Sequence, residues 1–149
     1  MFNPESVLND VIDILRNDVP LIQSALTAAQ TEANVREYDD EFKSEDAEWK
    51  FSAPAVFLQM LKASPKSFDV SAQPMSYDYD MIIFICHDSS DVPAKTHILE
   101  LVKQVHDALS GEVLTEGEDE VTVQCGVMDF LGKNNKMSVY TLDVKTIAG

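Results

Sequence analysis

The pattern at residues 77–86 constrains the fold more than any other part of the chain. It begins with alternating aromatic and acidic side chains and ends in an unbroken apolar run from Met81 to Cys86. Alternation is typical of a strand with one face in solvent, whereas an unbroken apolar run is typical of a strand that is covered on both faces. We therefore predict a sheet that is half-exposed at one end of this strand and covered on both faces at the other.

A first amphipathic helix is predicted near the start of the sequence. Asn3 is a good N-cap, Pro4 fits the first helical position, and residues 17–20 (Asn-Asp-Val-Pro) break the helix. The apolar side chains recur with the spacing of one buried helix face: Val7, Leu8, Val11, Ile12 and Leu15. Residues 20–30, with several alanines, predict a second and weaker helical stretch.

Another strong helix is predicted after the strand at 77–86. Ser90 or Asp91 caps it, Pro93 lies in its first turn, and Gly111 follows its end. Its apolar stripe again has helical spacing: Ile98, Leu101, Val102, Val105, Ala108 and Leu109.

The other strands are predicted from alternation and from short apolar runs. They cover residues 34–38, 54–61, 121–131 and 137–147, with a polar connection at 62–73, a loop or poor edge at 112–120, and a hairpin turn at 132–136. These elements predict one α+β domain over residues 1–149. We expect a mainly antiparallel β-sheet of about four to five strands, two or three α-helices packed on one face, and a C-terminal β-hairpin.

The charge and composition of the chain limit what it binds. The 149 residues carry a formal charge of −15, and the 11 basic residues are scattered singly. Because phosphate contacts need clustered Lys and Arg, no specific nucleic-acid binding is expected. No apolar run approaches the roughly 20 residues of a membrane span, and no signal peptide is recognisable. We expect a protein that is made in the cytoplasm and stays in the cell or in a particle.

Acidic residues are concentrated in two segments, of which residues 37–48 are the denser. Seven acids are opposed there only by Lys43: Glu37, Asp39, Asp40, Glu41, Glu45, Asp46 and Glu48. Because like charges at this density repel one another, we predict an exposed, mobile loop. The favoured interpretation is a plain solvated loop; the functional alternatives are a contact arm for a basic partner or the negative lining of a channel. Calcium binding is a minor option, since the segment lacks the Gly and the ligand spacing of an EF-hand loop.

Trp49 and the second acidic segment complete the candidate interaction residues. Trp49 is the only tryptophan, and it either packs under the acidic loop or anchors an interface. The second segment contributes four candidate side chains: Glu116, Glu118, Asp119 and Glu120.

The sequence contains no motif typical of catalysis, cofactor binding or metal binding. The five glycines form no phosphate-binding loop, and His97 and His106 lie about half a turn out of phase on their helix. Asp78 and Asp80 share a strand face, and we interpret them as its solvent side rather than as an acid–base or metal pair. We predict no catalytic residue, no cofactor and no metal, and hence a protein that is not an enzyme.

The two cysteines are predicted to be structural. Cys86 and Cys125 both lie in strand-like runs, outside any CxxC or zinc spacing. We interpret them as small buried side chains in a reducing compartment, with a disulfide between neighbouring strands as the less favoured alternative.

Four segments carry a resemblance to a known family. They are residues 52–58 (Ser-Ala-Pro-Ala-Val-Phe-Leu), residues 77–85 in the long strand, residues 97–111 in the helix ending Leu-Ser-Gly, and residues 139–144 in the closing strand. Their order and texture resemble the tail-terminator (tail-completion) proteins of tailed bacteriophages, including the Mu-like group. The resemblance extends over most of the chain.

The resemblance implies a structural virion protein without catalytic residues. Such proteins assemble as a ring, commonly a hexamer, which caps the tail tube, stops its polymerisation and provides the head–tail joining surface. The implied partners are copies of the chain itself, the tail tube protein, the head–tail connector protein and, in contractile tails, the tail sheath. The implied location is the virion tail or neck, after assembly in the host cytoplasm.

Two other classes of protein remain open alternatives. One is an acidic DNA-mimic inhibitor, which the charge of −15 favours. The other is a cellular protein–protein adaptor domain of similar architecture. Neither requires a catalytic site.

Overall fold

The computed structural model describes residues 2–42, 51–88, 94–116, 119–134 and 137–148. Its elements in chain order are α1 (Pro4–Asn17), α2 (Pro20–Ala25), α3 (Ala28–Asn34), β1 (Val35–Glu37), β2 (Ala55–Phe68), β3 (Pro74–Asp88), α4 (Ala94–Leu109), β4 (Val113–Glu116), β5 (Asp119–Asn134) and β6 (Met137–Ala148).

The strands form one sheet in the order β1-β2-β3-β6-β5-β4. Among the described strands, only the β1–β2 pair is parallel, and the other four pairs are antiparallel. The fold is therefore α+β with a mainly antiparallel sheet, as predicted. The predicted number of strands was too low: the described residues form six, together with four helices. The additional strand is the short β4, in the segment that the sequence left open between a loop and a poor edge.

Helix α1 begins and ends where its sequence indicates. The side chain of Asn3 caps it by accepting a hydrogen bond from the backbone N–H of Ser6 at 3.2 Å, and Pro4 occupies the first turn. The five predicted stripe residues are all buried. Since α1 contacts β1, β2 and β4, which lie at or near both edges of the sheet, the sheet curls around this helix.

The predicted helix at residues 20–30 is in fact two short helices, α2 and α3. Leu26 between them is extended, with ψ of 141°. Thr27 then caps α3 in a reciprocal arrangement: its hydroxyl accepts from the N–H of Gln30, and the Gln30 side chain accepts from the N–H of Thr27. A Thr that bonds the backbone ahead of it starts a new helix and ends the previous one, which explains the break.

Helix α4 carries the stripe predicted for it, and its end follows the predicted rule. Gly111 adopts φ of +81°, a left-handed conformation that glycine accepts without strain. Its N–H then donates to the carbonyl of Val123 at 2.9 Å, which ties the end of α4 to β5. The predicted caps Ser90 and Asp91, and Pro93, lie outside the described residues.

Residues 62–73, predicted as a polar connection, mostly continue strand β2. Strand β2 pairs with β3 as far as Phe68 opposite Pro74. Pro65 is tolerated because it lies beside a register shift on the outer strand of this pair, where a missing N–H costs little. In the tight turn that follows, the Asp69 carboxylate accepts the N–H groups of Ser71 and Gln73.

This long hairpin extends past the rest of the sheet. Strand β3 pairs with β6 only from Asp80 onward, and β1 pairs only with residues 56–58 of β2. In the described structure, residues 61–78 thus form a two-stranded extension, which we call the β2–β3 arm.

The hairpin of β5 and β6 is longer than predicted. Strand β5 continues through Asn134, which pairs with Met137, so the prediction of a turn over 132–136 is wrong for residues 132–134, and residues 135–136 lie outside the described structure. Two register shifts interrupt β5, one between Cys125 and Met128 and one between Phe130 and Gly132.

Two hydrophobic clusters lie on opposite faces of the sheet. The larger joins α1, α2 and α4 to one face and includes Ile83 and Ile85 of β3. The smaller lies on the other face and includes Phe84 and Cys86 of the same strand, together with Phe57. The prediction that one end of β3 is covered on both faces is therefore confirmed.

Candidate interaction surfaces

The first acidic segment starts as an extension of the sheet edge. The N–H of Tyr38 donates to the carbonyl of Leu58 at 2.8 Å, so the pairing of β1 with β2 continues one residue past Glu37. The side chains of Glu37, Asp39 and Asp40 are exposed, which fits a solvated segment. Asp40 has φ of +58°, a left-handed conformation that Asp tolerates better than most residues.

Glu41 does not behave as a solvated charge. One carboxylate oxygen accepts the N–H of Asp39 at 2.7 Å, and the other is paired with the guanidinium of Arg36. The Glu41 side chain is only 9% exposed. The same guanidinium lies 4.8 Å from the centre of the Phe57 ring, so Arg36 joins the carboxylate to the aromatic cluster beneath it.

Aromatic side chains at both ends of this acidic segment cover the outer face of the sheet. The ring of Phe42 lies 5.2 Å from that of Phe84 and 5.4 Å from that of Phe51, while Tyr38 stacks on Phe84 at 4.5 Å. We call these three covering residues, Tyr38, Phe42 and Phe51, the aromatic cover. Burial, together with the Glu41 carboxylate, raises the pKa of the Cys86 thiol well above its usual value.

Only some of the other predicted interaction residues lie in the described structure. Glu45, Asp46, Glu48 and Trp49 lie outside the described residues, as does Glu118. The backbone of Glu116, at the end of β4, pairs with that of Asp119, at the start of β5, and the side chain of Glu120 is exposed. The described part of the second segment thus lies at the β4 edge, whereas the first segment lies beside β1 at the other edge of the sheet.

An apolar surface on β5 was not predicted from the sequence. Pairing on the outer side of β5 ends near Val123, which bonds Gly111 and Glu112, and α4 approaches Cys125. In the described structure, β5 has no strand partner on that side from Gly126 onward. Four large apolar side chains there are between 45% and 60% exposed: Val127, Met128, Phe130 and Leu131. We call these four residues the β5 apolar edge.

The two bulges explain why alternation along this strand does not reveal the exposed apolar surface. Each bulge inserts one extra residue into β5 relative to β6. Because an extra residue interrupts the alternation of side chains between the two faces of the sheet, neighbouring apolar residues of β5 are exposed. The available signal was the sequence Val-Met-Asp-Phe-Leu at 127–131, which breaks period two and is apolar on both sides of one acid. An exposed apolar patch of this kind marks an interaction surface more often than it marks a solvated edge.

The β2–β3 arm presents a second exposed apolar surface. Leu61 and Phe68 are 57% and 56% exposed, and Val70 at the turn is fully exposed. Two exposed lysines, Lys62 and Lys66, lie among them. Lys66 is 3.5 Å from the Asp78 carboxylate across the arm.

The described side chains form no recognisable catalytic arrangement. No group of three or more His, Cys, Asp or Glu within the described residues is close enough to hold a metal ion. A shallow groove of about 360 Å³ at the base of the arm includes Asp80, Asp143 and Lys145, in which Asp80 and Lys145 are cross-strand partners. His106 bonds its neighbour Asp107 at 3.2 Å. Cys125 is half-buried, and burial together with the Asp107 carboxylate raises the pKa of its thiol.

Comparisons with known proteins add no family assignment. No protein-family model matches the chain, and no curated protein matches it significantly. The described helices also include none with the length and apolar character needed to cross a membrane.

Proposed function

We propose that this protein is a tail terminator of a tailed bacteriophage, a non-enzymatic structural subunit of the virion. In this role its copies form a ring, commonly of six, that caps the tail tube, stops tube polymerisation and provides the surface for the head–tail connector. The observation that carries the proposal is the β5 apolar edge. Four large apolar side chains exposed on one strand favour a protein that works by contact with other subunits.

The position of this surface suits a ring subunit. A ring is built from heterologous contacts, in which one surface of a subunit meets a different surface of the next. The chain offers two distinct apolar surfaces, the β5 apolar edge and the β2–β3 arm. The resemblance in element order to tail terminators supports the same role.

The charge of the chain gives the proposal a measurable consequence. Six copies at −15 each would carry −90, so self-repulsion opposes ring closure until salt or a tail partner offsets it. We expect the isolated protein to be monomeric or weakly associated at low salt and to associate more strongly at high salt. Analytical ultracentrifugation over a salt series measures this. A hexamer at low micromolar concentration that does not respond to salt would contradict the repulsion argument.

The acidic segments have a role in the same proposal. If either segment faces the channel of the ring, its carboxylates repel DNA phosphates and let the genome pass without adhering. Two variants test the two segments separately. The first changes Glu37, Asp39 and Asp40 to their amides, and the second changes the exposed Glu120 to Gln. Unchanged DNA ejection and infectivity in both variants would remove this role while leaving tube capping unaffected.

Electron microscopy of the protein mixed with its tail tube subunit tests the proposed function directly. We expect tubes of limited length with a ring at one end, and longer tubes without a ring when the protein is omitted. Tubes of equal length with and without the protein would contradict the proposal. Inhibition of a DNA-binding nuclease by the same preparation would instead favour the DNA-mimic class.

A further inference from the structure

We propose that residues 38–42 form a strap that opens and closes on the outer face of the sheet while the rest of the fold stays intact, and that the ion pair of Arg36 and Glu41 is its latch. The outer face is the one opposite α1, α2 and α4. The structure contains the closed state, in which the strap covers the apolar centre of that face. The strap is a property of the single subunit and does not depend on the phage role.

The strap has a short backbone attachment to the sheet. Strand β1 pairs with β2 over three residues, and the last backbone hydrogen bond described between this segment and β2 runs from the N–H of Tyr38 to the carbonyl of Leu58. The N–H of Asp39 bonds the Glu41 carboxylate, and the N–H of Phe42 bonds the Tyr38 hydroxyl at 3.3 Å. Because these N–H groups are satisfied within the strap, it can open without breaking the ladder of the sheet.

Aromatic packing favours the closed state. The rings of Tyr38 and Phe42 lie 4.5 and 5.2 Å from that of Phe84, and Phe42 also lies 6.0 Å from Phe57. No described helix contributes to the hydrophobic cluster on this face, so the strap and Phe51 supply its cover. Opening exposes the rings of Phe57 and Phe84 beside the acidic segment. The strap therefore controls access to the apolar surface on this face of the sheet.

The latch joins a residue of the sheet to a residue of the strap. Arg36 belongs to β1, where it pairs with Phe57, and its guanidinium lies over the Phe57 ring and bonds two backbone carbonyls. Glu41 reaches this guanidinium from the strap, with a side chain that is only 9% exposed. In the open state the carboxylate is in water. Removal of its charge therefore weakens the closed state and leaves the open state unchanged.

Cys86 lies beneath the closed strap and reports its opening. Its side chain is fully buried in the outer cluster, close enough to the Glu41 carboxylate for that charge to contribute to the raised pKa of the thiol. An alkylating reagent reaches this thiol when the cover opens or when the whole protein unfolds. The two routes differ in their response to urea, because the urea dependence scales with the surface that becomes exposed.

Alkylation of Cys86 by iodoacetamide at pH 8 measures the opening in the unmodified protein. Mass spectrometry of the Cys86 peptide gives the labelling rate as a function of urea concentration. We expect a rate that changes little at low urea and rises steeply only where global unfolding takes over. A rate that follows global unfolding from zero urea onward would overturn the inference.

Glu41→Gln tests the latch, and Glu37→Gln is its matched control. Both changes remove one negative charge from the same segment, but the Glu37 side chain is exposed. We expect labelling of Cys86 to be about tenfold faster in the Glu41 variant, as for loss of a charged partner at a mostly buried site, and unchanged in the Glu37 variant. Labelling of the half-buried Cys125 should be the same in both. Equal acceleration of Cys86 in the two variants would remove the latch.

A double-mutant cycle with Arg36→Gln identifies the partner of Glu41. Where two side chains act as one pair, removing both has no more effect than removing one. The double variant should therefore be labelled at Cys86 no faster than the faster of the two single variants. Effects that multiply would show that Arg36 and Glu41 act independently, which would remove the pair.

Tyr79→Phe separates opening of the strap from a general loss of stability. Tyr79 is buried in the larger core cluster, on the face of the sheet that the strap does not cover. We expect this variant to have a lower urea midpoint but an unchanged rate of Cys86 labelling at zero urea. Acceleration as large as that in the Glu41 variant would show that labelling proceeds through global unfolding and would overturn the inference.

Discussion

The hydroxyl of Tyr79 accepts a hydrogen bond from the backbone N–H of Asn3 at 3.1 Å, across 76 residues of sequence. Tyr79 is fully buried in the larger core cluster, and its own N–H donates to the hydroxyl of Thr146. One side chain therefore joins the start of α1 to the centre of the sheet. Since Asn3 also caps α1, this bond fixes the position from which the helix crosses the sheet.

Replacing Tyr79 by Phe tests this connection. The change keeps the ring in the core but removes the hydroxyl, so the partly buried N–H of Asn3 loses this acceptor. We expect a loss of about 1 kcal/mol in the free energy of unfolding, measured by urea denaturation. Tyr77→Phe is the control, because Tyr77 is half-buried against Phe2 and should change stability little. Equal effects of the two changes would argue that the Asn3 bond contributes nothing.

The contribution of the aromatic cover to stability can be measured by replacing Phe42. Its ring contacts four other aromatic side chains, and Phe42→Ala removes the centre of that cluster. We expect a loss of about 2 kcal/mol, less than for a fully buried Phe because Phe42 is half-buried. Binding of a hydrophobic dye should rise as Phe57 and Phe84 become accessible. Phe68→Ala, at an exposed site, should change neither the stability nor the dye binding. An equal loss of stability in that variant would contradict the role assigned to Phe42.

Asp10 on α1 gives a pH-dependent prediction. Partial burial, and then the nearby Asp13 carboxylate, raise the pKa of Asp10. A carboxyl with a raised pKa binds its proton more tightly in the folded protein, so its contribution to stability is present at low pH and is lost as the pH rises through the folded pKa. Asp10→Asn should therefore stabilise the protein at neutral pH by about 0.3 kcal/mol.

The gain from Asp10→Asn should disappear in acid, where the carboxyl is already neutral. Urea midpoints at several pH values measure this. Glu5→Gln is the contrasting variant: Glu5 lies in the first turn of α1, where the helix dipole favours a negative charge, so its change should destabilise at neutral pH. A gain from Asp10→Asn that is constant with pH would exclude an electrostatic origin.

The two cysteines should differ in reactivity toward iodoacetamide. Burial raises the pKa of both thiols, and Cys86 is fully buried under the aromatic cover whereas Cys125 is half-buried. Because the thiolate is the nucleophile, both should react more slowly than a free thiol at pH 8, and Cys125 should be modified first. Mass spectrometry of the peptides follows each site, and both should react alike in denaturant. Modification of Cys86 first would contradict the burial described for it.

The sequence predicted those parts of the fold that depend on local periodicity. The stripes of α1 and α4, the left-handed Gly111 and the two-sided burial of β3 all follow from the spacing of apolar side chains. The extension of β2 through Phe68 was not predictable in this way, because residues 62–68 are polar and become a strand only by pairing with β3. Pairing between distant segments overrides the local preference there.

In the candidate surfaces, too, local features could be predicted from the sequence and features that depend on distant residues could not. The acids of residues 37–48 were recognisable by composition, yet the near-burial of Glu41 depends on Arg36, which belongs to a different element. The β5 apolar edge was missed because two bulges change which side chains face the core, and bulges leave little trace in a single sequence.

The position of β6 determines when this sheet can be completed during synthesis. Residues 137–148 form the last strand in chain order, but that strand lies in the interior of the sheet, between β3 and β5. A ribosome must therefore release these residues before the β1-β2-β3 half can join the β4-β5 half. Until then both halves present an unpaired interior strand, and a nascent chain stalled before residue 137 would be a natural target for chaperones.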